Sequence, residues 1–328
     1  MKIAIISITT QGKNISDKIY EQLIKDPTIL HIQQYHKNVK QAIKETFNTY
    51  DCIIAIMASG IIIRSIAPYV NSKLTDPAVL LIDDNANYTI SLLSGHMGGA
   101  NNLTHKISQL IGSTSVITTS TDVNQKQGID EIARKYYFNL ENPENIKYIN
   151  RALVDNRKPT LQIPTKYTYL IDDELKDSYE IKQDNTNDTL IATIDNHSVI
   201  LTPQNLVMGI GARRDIAQSK VEHAINTACQ ILEIPPQRID EFATVDIKQN
   251  EEGIIKTVEN LGKQIQIVPR DTIETYKNEQ CSKSDFVMKQ FGIKGVCEPT
   301  SLIINGENSE LIFKKTAYDG VTIAVSKK

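Results

Sequence analysis

The residues best placed for chemistry gather in one glycine-rich run, Ser94-Gly95-His96-Met97-Gly98-Gly99-Ala100-Asn101. Gly95, Gly98 and Gly99 remove side chains where a backbone approaches something closely. The run leads into a helix, whose free amides and dipole suit an anion. His96 has an intrinsic pKa near working pH. It can serve as a general base, or as a donor to developing negative charge beside the Gly98 and Gly99 amides. The run is not G-x-G-x-x-G, and no Gly-Lys-Ser/Thr follows it, which counts against a dinucleotide or nucleotide. No G-x-S-x-G elbow occurs, so attack by water is preferred over a serine acyl-enzyme.

Other loops in the same half add polar groups. Ser59 and Gly60 follow the apolar run Asp51–Met57, with Arg64 a turn later, a geometry for holding a carboxylate. Lys73 and Asp76 precede the apolar run Ala78–Asp83, and Thr118-Thr119-Ser120-Thr121-Asp122 follows a further strand. In open α/β sheets ligands bind at the carboxyl ends of strands, so these loops are expected to share one cleft. The second half offers Gly209-Ile210-Gly211-Ala212-Arg213-Arg214, Asp246-Ile247-Lys248 with Glu251, and Glu298 at the start of a helix. Arg214 occupies the third glycine position of a dinucleotide fingerprint, which disfavours NAD and favours carboxylate contacts. Glu298 reads equally as a second wall of the site or as a residue matched to the helix dipole.

The elements that must position these groups alternate strand and helix. Lys2–Ile8, His31–Tyr35, Asp51–Met57, Ala78–Asp83, Tyr88–Leu93 and Ser115–Thr118 read as strands. Asp84-Asn85-Ala86-Asn87 is a turn composition and makes a hairpin of the fourth and fifth. Ile15–Lys25, with Asn14 or Ser16 as cap, and Val39–Phe47 have helical spacing; a helix carrying Ala100, Leu103, Ile107 and Leu110 ends at Gly112. Residues 128–203 are poorer in pattern. Tyr167–Ile171, Leu190–Ile194 and Ser198–Leu201 look strand-like, and Asp172–Asp188 reads as a loop-rich insert. A second alternation then runs from Leu206 to Ser326, with Pro299 suited to a first helical position. The expected architecture is α/β: two α/β domains with mostly parallel sheets, 1–127 and 204–328, flanking a smaller, less regular α+β middle region, 128–203.

Composition narrows the function classes. A chain of 328 residues suits two or three domains, and 40% hydrophobic residues can fill their cores. A net charge of −3 and no tryptophan argue against nucleic acid or an anionic membrane as partner. No apolar stretch is long enough to span a membrane, and a cytoplasmic location is expected. Cys52, Cys229, Cys281 and Cys297 form no C-x-x-C pair and are expected to be reduced thiols. No metal-ligand cluster is apparent.

Taken together, several runs resemble the cobalt-precorrin-5A hydrolase family of cobalamin biosynthesis. They are Met57-Ala58-Ser59-Gly60-Ile61 with Arg64, Asp76-Pro77-Ala78-Val79, Ser91 to Asn101, and Ile117-Thr118-Thr119. Gly209-Ile210-Gly211 with Arg213-Arg214, Asp246-Ile247-Lys248 with Glu251, Gly295-Val296-Cys297-Glu298, and Lys314 are similar to that family's C-terminal module. The resemblance implies a reaction. Water opens a δ-lactone on ring A of cobalt-precorrin-5A, and a two-carbon fragment leaves as acetaldehyde to give cobalt-precorrin-5B. It implies no cofactor, since the cobalt arrives within the substrate, and transient contact with neighbouring pathway methyltransferases. On this reading His96 and Glu298 are the catalytic candidates. Ser59, Gly60, Arg64, Lys73, Asp76, Gly95, Gly98, Gly99, Asn101, Thr118, Thr119, Gly211, Arg213, Arg214 and Lys248 are the substrate-binding ones. The alternative is a non-catalytic corrinoid- or tetrapyrrole-binding carrier that releases no acetaldehyde.

Overall fold

The structure, a computed structural model, describes residues 1–184, 186–283, 288–289 and 292–328. It divides into two compact units, Met1–Arg134 with Phe138–Thr202, and Lys135–Tyr137 with Pro203–Lys328.

The first unit contains two sheets. The larger has β1 (Lys2–Ser7), β2 (His31–His36), β3 (Cys52–Ile56), β4 (Ala78–Ile82), β5 (Tyr88–Leu93) and β6 (Thr114–Val116), in the order β2-β1-β3-β4-β5-β6. β3 and β4 are buried along their whole length, which is why they read as unbroken apolar runs. Alternate residues feed two cores. Ile54 and Leu80 pack with Ile15 and Ile19 of α1 (Thr10–Leu23) and with Leu103 and Ile107 of α4 (Ala100–Ile111). Ile53 and Val79 pack on the other side with Ile43 of α2 (Val39–Thr46) and Ile62 of α3 (Ser59–Ile66). α1 begins earlier than its apolar spacing suggests, because Thr9, rather than Asn14 or Ser16, accepts the Gly12 amide as its cap. Gly112 closes α4 in the left-handed conformation, at φ 76°.

Strand direction decides which loops can meet. β1, β3 and β4 run parallel, but β5 is antiparallel to β4, with Val79 opposite Leu93 and Ile82 opposite Thr89. The end of β5 therefore returns to the edge where β4 begins. β6 is parallel to β5 and ends on that edge too. The loop after β3 lies at the opposite edge.

Residues 128–202 are more ordered than their composition suggests. After α5 (Ser120–Val123) come α6 (Ile129–Lys135), β7 (Phe138–Glu141), α7 (Ile146–Val154) and β8 (Thr160–Ile163). α8 (Asp173–Ser178), β9 (Glu180–Gln183), β10 (Leu190–Ile194) and β11 (His197–Pro203) follow, and the strands form a sheet ordered β7-β11-β10-β8-β9. The insert expected at Asp172–Asp188 thus holds a helix, capped by Asp172 through the Leu175 amide, and a strand; its residue 185 lies outside the described residues. Tyr167–Ile171, expected as a strand, falls in a 3-10 helix over Thr165–Leu170 that buries Tyr167 and Leu170.

The second unit has β12 (Leu206–Ala212), β13 (Glu241–Val245), β14 (Ile265–Val268), β15 (Glu310–Tyr318) and β16 (Val321–Lys327), ordered β14-β13-β12-β16-β15. The first three are parallel, and β16 pairs antiparallel with both β12 and β15, so this sheet is mixed. α9 (Gln218–Ile231), α10 (Glu252–Asn260), α11 (Arg270–Thr275) and α12 (Cys297–Asn305) connect and cover it. Pro299 is the third residue of α12 rather than its first. All four cysteines are free thiols, and burial pushes those of Cys229 and Cys297 up to about 12.

Candidate functional site

At the edge where β5 and β6 end, a cleft of about 470 Å³ opens in the first unit. The glycine-rich run makes one wall. Ser94 takes a left-handed backbone, at φ 56°, and Gly99 another at φ 81°. The glycines answer mainly to packing. A Cβ on Gly95 would lie 2.7 Å from Asn101 Oδ1, one on Gly98 2.6 Å from Ser94 Cβ, and one on Gly99 2.0 Å from Arg134 Nη2. The amides of Gly99, Ala100 and Asn101 are committed to the carbonyls of His96, Ser94 and Gly95. The expected anion cradle at Gly99 is therefore already spent on the turn itself.

His96 is held from both sides. Its Nε2 lies 2.7 Å from Asp122 Oδ2 and 3.1 Å from Thr121 Oγ1, and its Nδ1 lies 3.2 Å from Asp130 Oδ2. Only 8% of the side chain is exposed. Burial alone pushes the ring's pKa down, but the hydrogen bonds to Asp122 and Asp130 outweigh it and raise it to about 10. Burial likewise opposes ionisation of Asp122 and Asp130, and the His96 ring overcomes it, so both are held below the usual carboxylate range. The cluster is an imidazolium between two carboxylates. A ring that donates from both nitrogens has no lone pair for a proton from water and no N–H left for a substrate. The geometry therefore disfavours the base role for His96 and leaves it the role of a cation that holds Asp122 and Asp130.

The surrounding shell fixes this cluster. Asn101 is buried; its Nδ2 donates to Thr119 Oγ1 and Asp122 Oδ2, and its Oδ1 accepts from Ser91. Asn101 thus positions Asp122 and has little left for a substrate. Asn150 on α7 donates to Asp130 Oδ1 at 2.8 Å and accepts from the Ile129 amide. The cleft is lined further by Lys73, Thr119, Ile146, Lys147 and Arg151.

The other sequence candidates fall into separate places. Lys73 and Thr119 join His96 in the cleft, while Thr118 is exposed beside it and does not line it. Asp76 is buried at the same edge, where it accepts the Asn71 amide and borders a polar cleft of about 540 Å³ with Tyr50, Asp51 and Tyr69. Ser59, Gly60 and Arg64 lie at the opposite edge of the sheet, because β3 runs against β5; Arg64 folds back to donate to the Gly60 carbonyl. The expectation of one shared cleft fails there. In the second unit, Glu298 is buried and saturated: Oε2 accepts from the Ser282 amide and hydroxyl, and Oε1 from the Lys315 amide. Lys248 pairs with Glu251 at 2.8 Å, both largely buried. Gly211 is buried where a Cβ would lie 2.5 Å from Thr322 Oγ1, and Arg213 and Arg214 are exposed. Among the described residues, no group of three or more His, Cys, Asp and Glu side chains could hold a metal ion, and no helix is long and apolar enough to cross a membrane.

Comparison with known proteins places this geometry. Residues 41–122 match the model for the cobalamin synthesis G N-terminal domain, and residues 206–326 match that for the cobalamin synthesis G C-terminus. A "Probable cobalt-precorrin-5A hydrolase" from Methanocaldococcus jannaschii is 31% identical, over 99% of each chain. The chain belongs to the cobalamin synthesis G family. A cobalt-precorrin-5A hydrolase from Priestia megaterium is 26% identical over 98% of this chain and 94% of its own. The solved structure of a cobalamin biosynthesis protein G homolog from Sulfolobus solfataricus superposes with a TM-score of 0.59, at 28% identity over 99% of this chain and 97% of that one.

In this cobalamin synthesis G chain the site straddles a boundary. His96, Asn101 and Asp122 lie within the N-terminal matched segment, whereas Asp130 and all of α7 lie between the two matched segments. Sequence reasoning missed Asp130, Asn150, Lys147, Arg151 and Arg134. The signal for Asp130 was weak: an acid in the first turn of a short helix, indistinguishable from a residue matched to the dipole.

Proposed function

We propose that this chain hydrolyses cobalt-precorrin-5A at the His96 cleft. The observation that carries the reading is the imidazolium clamped by Asp122 and Asp130 at the wall of a cleft rimmed by Lys73, Lys147 and Arg151. The substrate is an anionic tetrapyrrole with acetate and propionate arms, and dispersed cations suit it better than one phosphate cradle. Cobalt enters as part of the substrate.

The chemistry needs little machinery. Water adds to the lactone carbonyl carbon, and the cations around the cleft stabilise the oxyanion that develops, while the His96 imidazolium offsets the charge of Asp122 and Asp130 beside it. The acyl carbon–oxygen bond then breaks, leaving a carboxylic acid on ring A and an alkoxide that takes a proton. In the second step that hydroxyl loses its proton and becomes a carbonyl as the neighbouring carbon–carbon bond breaks. The electron pair returns to the macrocycle, which is protonated, and acetaldehyde departs. One water is consumed. Preorganisation is supplied by Asn101 and Asn150, which hold the two carboxylates that hold the ring.

Anaerobic incubation with cobalt-precorrin-5A tests the reading, with acetaldehyde trapped and the product weighed by mass spectrometry. One acetaldehyde per substrate, with product heavier by one water and lighter by that fragment, is expected. Binding with no acetaldehyde would make the chain a carrier.

A further inference from the structure

Residues 123–205, between the two matched family segments, contain one whole face of the cleft. α7 turns Ile146, Lys147, Asn150, Arg151 and Val154 toward the cavity, a spacing that selects one side of a helix. Ile149, Ala152 and Leu153 are buried and anchor the helix behind that face. Asn150 fixes its rotation by bonding both the Ile129 amide and Asp130. Lys147 and Arg151 flank Asn150 one turn apart, close enough to share a ligand. Lys147 lies over the Tyr148 ring at 4.9 Å. Arg151 leans toward Asp155 at 3.5 Å with 82% of its side chain exposed, a screened pair that a better partner can replace.

We propose that this face of α7 is the substrate-recognition wall of the site: Lys147 and Arg151 clamp one carboxylate arm of the tetrapyrrole, while Asn150 ties the clamp's position to Asp130 and His96. The proposal rests on the functional reading above and deepens it. Opening a neutral lactone does not itself require cations on a helix facing the reacting group. Recognising a flanking acetate or propionate does, and two cations one turn apart give a single carboxylate two charge-assisted hydrogen bonds. Val154, half-buried, supplies an apolar surface beyond the cations for the macrocycle edge, and Ile146 borders the cavity from a buried position. A cleft of about 470 Å³ is smaller than the whole macrocycle with its arms, so it selects one edge of the substrate by arm position. Asn150 is a positioning residue here: it acts through Asp130.

The test separates binding from turnover. Lys147→Ala and Arg151→Ala are each expected to raise KM about tenfold with kcat within about threefold. The double reversal K147E/R151E is expected to raise it about a hundredfold or more, and Lys147→Arg to restore most of the loss. Asn150→Ala is expected to lower kcat, through Asp130, and to raise KM by less than either clamp variant. Equilibrium binding of cobalt-precorrin-5A, followed by its visible absorption, reads the clamp without turnover. A double reversal that binds and turns over like wild type overturns the proposal. A wild type that binds but releases no acetaldehyde sinks the hydrolase reading while leaving the clamp to stand or fall on the variants' affinities. A wild type that does neither overturns both.

Discussion

The two units place similar sequence signals in different settings. Each has a strand feeding a glycine-bearing turn, an acid near a helix start and basic residues close by. In the second unit these groups satisfy one another. Gly209 lets α12 lie against β12, since a Cβ there would fall 1.9 Å from the Cys297 carbonyl oxygen, and Glu298 gathers three donors in the interior. In the first unit the glycines also serve packing, but the histidine beside them is bracketed by two carboxylates and faces a cleft. Glycine therefore does not distinguish a ligand loop from a packing turn. The titratable group left with a cavity in front of it does.

That contrast can be broken first at His96. His96→Gln removes the fixed charge and leaves the buried Asp130 and the half-buried Asp122 without their counter-ion, so kcat for acetaldehyde release is expected to fall by about 10²–10³. Unchanged release in steady-state assays would move the chemistry elsewhere. Asp130→Asn is expected to have the next largest effect. With one carboxylate gone, the basic limb of the rate profile should move toward neutral pH by about 1–3 pH units. Gly99→Ala should follow. The left-handed backbone and the Arg134 guanidinium both oppose a methyl there, at a cost of about 1–3 kcal/mol in urea unfolding and a several-fold loss of turnover. Glu298→Gln sharpens the comparison from the other side. It presents an amide to donors, so a loss of about 1–3 kcal/mol in stability is expected with kcat of the folded enzyme unchanged within about twofold. Abolished turnover with normal stability would return chemistry to the second unit.

Stability should also depend on pH through His96. Its folded pKa, about 10, stands above the ordinary 6.5. Its stabilising contribution is therefore complete below about pH 6.5 and fades as pH rises through 10. Asp122 and Asp130 are lowered, so theirs is present above the ordinary carboxylate range and lost in acid. The urea midpoint of wild type is expected to decline between pH 7 and 10 more steeply than that of His96→Gln.

Much of this was legible in the residues. The unbroken apolar runs of β3 and β4, the hairpin of β4 and β5, the cap at Gly112 and the histidine between glycines each have a local cause. What escaped has non-local causes. The hairpin at Asp84–Asn87 was visible, but its consequence was not: it turns the glycine run away from Ser59 and Arg64 and toward Lys73 and Thr119. Asp130 reaches His96 across 34 positions, through the docking of α6, which no spacing rule reports. Tyr167–Ile171 alternates like a strand, but Thr165–Leu170 forms a single 3-10 segment that buries Tyr167 and Leu170.

The central claim is that His96 works as a protonated ring, paired with Asp122 and Asp130, inside the first unit. The most direct test is the pH dependence of acetaldehyde release from cobalt-precorrin-5A at saturating substrate, for wild type and His96→Gln. Wild type is expected to be level from about pH 7 to 9 and to lose activity on a basic limb near 10, a limb absent from the variant. A wild-type rate that instead climbs through about pH 6.5, as the ring of an ordinary histidine gives up its proton, would show a general base and contradict the account.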